Sequence, residues 1–460
     1  MKKAKSSKVI FILTLVLALL VVSACSSNST GNEPAPADQD TNIADESAPT
    51  TDEEPVVEED KTPVTIKFTN WANSETYNKV NEAFMKKYPW ITVEFVYSGE
   101  KGPQGTVEAS IAAGDPIDVY FDGSLSGNLK SNLAEDLTPY IEKDEEFKNY
   151  PFLEGIMEQF NVDGKQWALP RGTEAFLVFY NKDLLEEYGL EKPSNDWTWE
   201  QMREMAMKAT DPAKGRFGLG GDGIFYMFGS PVLPMANGHA PNLYALDETK
   251  TKSLADQPDV MDDLQWFADL ALKDKVLLNK ATSEANNIKE DRWSTGNALF
   301  TIHVSPLMET WDKSLEFNWD VLPFPAGTSK QVGIMWNQPL MMTKASKHKD
   351  AVWKFMKFYT TSPEAQQIFM ERATLLPNSK DANMKEVLTS LPFYAKYDVN
   401  AILYAVDHAV PDPSSYMKGG NLVTASFNEW VANKLINESM SAYDYFPAAT
   451  EKLNNDLAAQ

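Results

Sequence analysis

Cysteine, histidine and positive charge are all scarce in this sequence: one cysteine, four histidines, and 42 lysines and arginines against 66 aspartates and glutamates, for a formal net charge of −24 over 460 residues. The lone Cys25 can form no internal disulfide and cannot build a thiolate metal site. His239, His303, His348 and His408 are scattered and no His-Glu-x-x-His pattern occurs, which argues against a zinc enzyme. No glycine-rich, phosphate-cradling loop with its lysine is present, so the chain is not itself an ATP-driven machine. The negative excess would repel a polyanionic backbone over most of the surface, which excludes nucleic-acid partners. Long apolar runs are missing as well. The one from Val9 to Val22 is too short for a comfortable membrane span.

That run does have a meaning. Lys2, Lys3, Lys5 and Lys8 precede it, giving the charged start and apolar middle of a secretory signal. Val22-Ser23-Ala24-Cys25 then resembles a bacterial lipobox, in which small residues admit the signal peptidase and the cysteine becomes the lipidated N-terminus. Residues 1–24 are therefore read as a lipoprotein signal peptide with Cys25 as the lipidation site; the plainer alternative is a secretory signal with an incidental cysteine. Residues 25–61 read as an acidic disordered tether. From Ser26 to Thr62 there are eleven acidic residues, one lysine and almost nothing apolar, too little burial to offset chain entropy.

Beyond the tether, the length suits two lobes or two domains, and an apolar content of 43% is ordinary for a globular protein. Val64 to Phe68 alternates as a strand, Ser74 can cap a helix running to Tyr88, and Ile91 to Val96 is the next strand. Strand, helix, strand at this spacing predicts a parallel crossover. Ile117 to Phe121 is a buried strand that delivers Asp122 at its C-terminal end, where open parallel sheets collect ligands. A turn at Asp163-Gly164 leads to a short run ending at Pro170, and Ala175 to Tyr180 then reads as a buried strand entered from a loop with Arg171 and Glu174 at its mouth. Thr198 is a plausible cap for the helix that follows it, Gly333 to Gln338 returns the chain to a strand, and Met384 to Gln460 reads mainly as helices.

The central stretch carries a resemblance. Its Gly-Lys turn, Ala-Leu-Pro, Glu-Ala and Tyr-Asn-Lys-Asp-Leu resemble the segment with which family 1 extracellular solute-binding proteins cross between lobes. Asp122 ahead of Leu133-Ala134-Glu135, the Thr198-Trp199-Glu200 helix start and the Thr361-Ser362-Pro363-Glu364-Ala365 element match the same family, and the similarity runs from about Val64 to the C-terminus. The resemblance implies a type II periplasmic-binding-protein-like fold, each lobe a central sheet flanked by helices, with a hinge between lobes. It implies one lobe over 62–172 with a return at 333–380, a second over 173–332, and C-terminal helices over 381–460 mainly in the second. It further implies a monomeric receptor that is not an enzyme, holds no cofactor or metal, and hands a sugar, an oligosaccharide above all, to the permease of an ABC importer. In the family's maltose-binding member a glutamate before alanine and an aspartate after the ligand-side strand contact sugar, and Glu174 and Asp122 stand at those places. The glycine after Asp122 departs from the pattern, which leaves the particular sugar open.

Two motifs compete with that reading. Gly123-Ser124-Leu125-Ser126-Gly127 fits a nucleophile elbow and would make Ser126 a hydrolase serine, although no spacing rule picks a histidine partner for it. Gly218 to Gly223 fits a dinucleotide fingerprint only on paper, and a glycine turn is the better account. Aromatic and polar residues at strand ends offer more: Trp71, Asp122, Arg171, Glu174, Tyr226, Trp336 and Asn337 are the candidate ligand-binding set. Ring faces pack against sugar C–H groups while carboxylate, amide and guanidinium groups serve the hydroxyls. Each also has a plain structural role open to it: core residue for the aromatics, cap for Asp122, ion pair for Arg171 with Glu174. A peptide or polyamine ligand on the same fold stays open.

Overall fold

The computed structural model describes residues 60–71, 74–221, 231–380 and 383–460. The signal, Cys25, most of the tether and Tyr226 lie outside them.

Strand β1 (Val64–Asn70) leads into helix α1 (Glu75–Lys87), whose cap is Ser74: its hydroxyl accepts from Tyr77 N. Strand β2 (Ile91–Tyr97) pairs parallel with β1, as the crossover predicts. Helix α2 (Gly102–Ala112) then carries the chain to β3 (Val119–Phe121), parallel to β1 on its other side. Ser124 caps the short helix α3 (Leu125–Lys130) that follows. A two-residue turn at Asp163-Gly164 joins the hairpin β4 (Asn161–Val162) and β5 (Lys165–Gln166). Both turn residues have positive φ, 54° and 75°, a conformation that aspartate tolerates and glycine adopts freely.

The next strand differs from its sequence reading. Instead of a loop feeding a short strand, β6 runs unbroken from Leu169 to Asn181, every residue buried. The non-alternating Pro-Arg-Gly-Thr start conceals it, and packing supplies the reason it is extended. A Cβ on Gly172 would come within 2.5 Å of Leu375, so only a bare backbone fits there. From Ala175 onward alternate side chains feed opposite cores. Phe176, Val178 and Tyr180 join one cluster, while Ala175, Leu177 and Phe179 join another. A strand covered on both faces reads as a continuous apolar run, which is what the sequence has.

The second long strand, β10 (Gly333–Met342), follows β7 (Phe217–Leu219), β8 (Ala298–Val304) and β9 (Trp319–Leu322). A last short strand, β11 (Ala409–Pro411), pairs parallel with its start. The order β2-β1-β3-β10-β6-β8-β7 makes β6 and β10 the antiparallel pair on which two lobes meet. At one end Leu340 to Met342 bonds to β3, and Leu340 and Met342 pack with Ile66, Phe68 and the helix Lys349–Thr361. At the other, Ile334 packs among Trp197, Phe300 and Trp430. Ile334 and Trp336 of β10 thus pack in one core, and Leu340 and Met342 in another. Leu153 and Ile156 also join the core beneath β9, together with Trp293 and Trp319. The molecule is thus a two-lobed α/β protein, each lobe a sheet flanked by helices. Among the described residues no helix is long and apolar enough to cross a membrane.

Candidate functional site

The register between the crossing strands shifts between Asn337 and Pro339, leaving Gln338 unmatched, and Pro339 then faces Pro170. Neither proline can donate to the ladder, so the two strands are least tied together where they pass between lobes. Over this point lies a cleft of about 1090 Å³. Phe121, Gly123, Ser124 and Ser126 wall it from the first lobe, Trp336 to Pro339 form part of its lining, and Tyr244, Asp412 and Asn421 approach from the second.

The second-lobe wall is organised by Asp412, which is buried. Its Oδ2 accepts from Trp336 Nε1 at 3.0 Å and from Tyr244 Oη at 3.1 Å, and its Oδ1 accepts from Ser414 N at 2.8 Å. One carboxylate thus fixes two aromatic rings from separate elements and the loop that carries Ser414 to Tyr416. The Trp336 indole meets Phe176 edge-on, with centroids 4.8 Å apart. Tyr244 and Ala245 are consecutive non-glycine residues at positive φ, 59° and 50°, the kind of strained backbone that persists where surroundings over-determine it. Asn337 is held from two sides: its Nδ2 donates to Thr173 Oγ1 at 3.1 Å, and its Oδ1 accepts from Gln159 Nε2 at 2.9 Å.

Beneath this lining sits a charged pair. Glu174 is directly opposite Trp336 in the β6–β10 register and accepts from the Gln338 amide. Burial lifts its carboxyl to about 7, against the opposing pull of Arg171 and the Gln338 hydrogen bond. The Arg171 guanidinium lies over the rings of Tyr77 and Phe121, 4.6 and 4.4 Å from their centroids, with Nε and Nη1 buried and without a hydrogen-bond partner among the described residues. The Gln338 Oε1 is likewise buried without a partner among the described residues.

Of the residues expected from the sequence, Trp336 and Asn337 line the cleft. Glu174 and Arg171 lie below it. Asp122 sits at the strand end that delivers the first-lobe wall, but its Oδ1 accepts from Ser124 N at 2.8 Å and Asn128 Nδ2 at 3.1 Å. Burial raises its carboxyl above the usual range, while bonds from Ser124, Gln104 and Asn128 hold it down. Asp122 therefore braces the turn into the following helix, whose cap is Ser124 rather than Asp122. Trp71 does not line the cleft: it is 53% exposed, and its ring covers Gly102 so closely that a Cβ there would lie 2.8 Å from it. Tyr226 lies outside the described residues. Sequence reasoning missed Tyr244, Asp412 and Tyr416. The available signal was the turn-rich Pro411-Asp412-Pro413-Ser414-Ser415-Tyr416 run, set among helical segments and carrying an acid and an aromatic.

A long buried strand pair crossing between two sheets, with a cleft over the crossing, defines a two-lobed binding protein. The chain belongs to the bacterial extracellular solute-binding protein family, whose model matches residues 69–367. Members of that family are extracellular or periplasmic solute-binding proteins. A maltotriose-binding protein of Pyrococcus abyssi is 23% identical over 354 residues, 75% of this chain and 71% of that protein. Among solved structures, an ABC substrate-binding protein of Listeria monocytogenes in complex with cycloalternan superposes with a TM-score of 0.70 at 21% identity, covering 86% of this chain and 99% of the other. A maltose-bound T. maritima protein superposes with a TM-score of 0.63 at 23% identity, over 86% and 99% of the two chains. These likenesses establish the shared fold.

Proposed function

We propose that this chain is a lipid-anchored receptor that captures an oligosaccharide between its lobes and delivers it, unmodified, to the permease of an ABC importer. The observation that carries the reading is the Trp336–Asp412–Tyr244 arrangement, two aromatic rings pinned by one carboxylate across a cleft from hydroxyls and backbone of the Gly123–Ser126 turn. Such a surface offers C–H stacking on one side and hydrogen bonding on the other. A cleft of about 1090 Å³ is at the upper end of ligand sites and larger than one sugar ring requires. The names of similar proteins, which bind maltotriose, cycloalternan and maltose, point the same way.

Lys130 and Lys418 stand on the walls, and Asp412, the one aspartate or glutamate among the described lining residues, is already engaged by Trp336 and Tyr244, which disfavours a polyamine. Ser126 lines the cleft, yet no histidine among the described residues bonds to it, so a hydrolase would lack its proton relay. On this reading the lobe boundaries follow the two crossing strands, and their proline-faced crossing is the hinge about which closure traps ligand. The N-terminal signal directs export, and the lipidated Cys25 holds a monomer to the outer face of a bacterial cell membrane, with no cofactor required.

A thermal-shift and calorimetric screen of the mature chain carrying Cys25→Ser, against oligosaccharides, monosaccharides, amino acids and polyamines, tests this. An oligosaccharide raises the melting temperature by mass action, and Trp336→Ala weakens its binding by more than about 1 kcal/mol. A response to amino acids or polyamines with none to any sugar contradicts the reading.

A further inference from the structure

A second groove, of about 600 Å³, adjoins the main cleft and shares Val162, Tyr416 and Lys418 with it. Two tight turns form its sides. From the first lobe comes the Asp163-Gly164 turn of the β4–β5 hairpin, and from the second the Asp247 to Lys252 turn. The second turn is braced by its own aspartate: Asp247 Oδ1 accepts from Thr251 N at 2.9 Å and Lys252 N at 3.1 Å, and Oδ2 accepts from Thr249 Oγ1 at 2.8 Å. Lys250 at its tip has φ 56°, a strained value for a lysine, and its ammonium stands 5.7 Å from the Tyr416 ring centroid. Tyr416 packs in turn against the first-lobe cluster that includes Val162 and Trp167. The ring therefore forms the saddle between the two cavities, with rigid walls on either side.

The chemistry of the groove is that of a carbohydrate surface. It offers an aromatic ring, the hydroxyls of Thr249 and Thr251, the amide of Asn161, and the opposite charges of Asp163 and Lys250. Donors and acceptors are mixed, and both charge signs are present, Asp163 beside Lys250 and Lys418. A phosphate or a polyamine would call for a one-signed lining.

We infer that this groove is a distal subsite, in which the end of a saccharide chain too long for the main cleft passes over Tyr416 and is held between the two turns. The inference rests on the oligosaccharide reading above and adds to it a length preference. Because each wall comes from a different lobe, a chain seated there also bridges the lobes outside the main cleft, so longer ligands bind more tightly.

The test is titration of the mature chain carrying Cys25→Ser with linear α-1,4- and β-1,4-glucans of increasing length, beginning at the disaccharides. In the series that binds, affinity rises at least about tenfold once the chain outgrows the main cleft, the worth of one or two hydrogen bonds. Asp163→Gly, which suits the left-handed backbone while removing the carboxylate, combined with Thr251→Ala, abolishes that gain. It leaves the shortest bound glucan unchanged, which also shows that the variant is folded. Short glucans that bind with no gain on lengthening, or a gain that survives the double variant, overturn the subsite and leave the receptor reading standing. If no glucan of any length binds and a different solute class does, both fall together.

Discussion

Trp336 and Tyr244, 92 positions apart in the sequence, donate to the same oxygen of Asp412, at 3.0 and 3.1 Å. The rings come from β10 and from a left-handed turn with no glycine. The aromatic wall of the cleft is therefore set before a ligand arrives, and affinity gains from preorganisation as well as from contact.

Replacing Asp412 by alanine removes the shared acceptor. The buried Tyr244 hydroxyl loses this partner, which costs about 1–3 kcal/mol of stability. Ligand binding weakens by about tenfold or more, because both rings lose their common anchor. Urea denaturation and calorimetric titration measure the two effects; unchanged affinity would mean that the rings are held by packing alone.

Glu174 makes stability depend on pH in the direction opposite to a salt-bridged acid. Its carboxyl is raised by burial from 4.5 to about 7, so between those values the folded state holds more protons than the unfolded one. Stability contributed by this group is full below about 4.5, declines as pH rises through the window, and levels off above about 7. The loss is on the order of 3 kcal/mol. In Glu174→Gln the difference from wild type changes across this window and is constant outside it. Parallel urea midpoints of the two proteins from pH 5 to 8 would contradict the assignment.

Asp122 is expected to act on stability more than on ligand. Asp122→Ala strips the acceptor from Ser124 N and Asn128 Nδ2 and lowers stability by about 1–2 kcal/mol. Affinity falls only as far as the Gly123–Ser126 wall loosens. A large loss of affinity with no loss of stability would instead place the carboxylate in contact with ligand.

Cys25→Ser tests the anchor. The expected outcome is that the wild-type protein fractionates with membranes and incorporates labelled palmitate, whereas the variant is recovered without label. Equal partitioning of the two would leave Cys25 with no role in attachment.

Much of the fold was legible in the sequence because local signals agree with the tertiary structure. Ser74 caps α1, Thr198 forms a capping box with Gln201, and the apolar run from Ala175 to Tyr180 is a strand buried on both faces. Where reading failed, the deciding contacts are distant in sequence. Pro170 to Thr173 looks like a loop, and it is extended because β10 pairs with it and Leu375 closes over Gly172. The three-residue β11 exists only through its pairing with β10, and no short window could reveal it. The site divides in the same way. Trp336 and Asn337 stand on a strand whose end is visible in the sequence, whereas Tyr244 and Asp412 meet through a hydrogen bond spanning 168 positions.

The most direct test of the account is a crystal structure with the oligosaccharide found by the screen. The account predicts a sugar ring stacked on Trp336, its hydroxyls bonded to the Gly123–Ser126 turn and to Asn337 or Gln338, with both lobes in contact. A sugar bound on one lobe alone, away from Trp336, would contradict it.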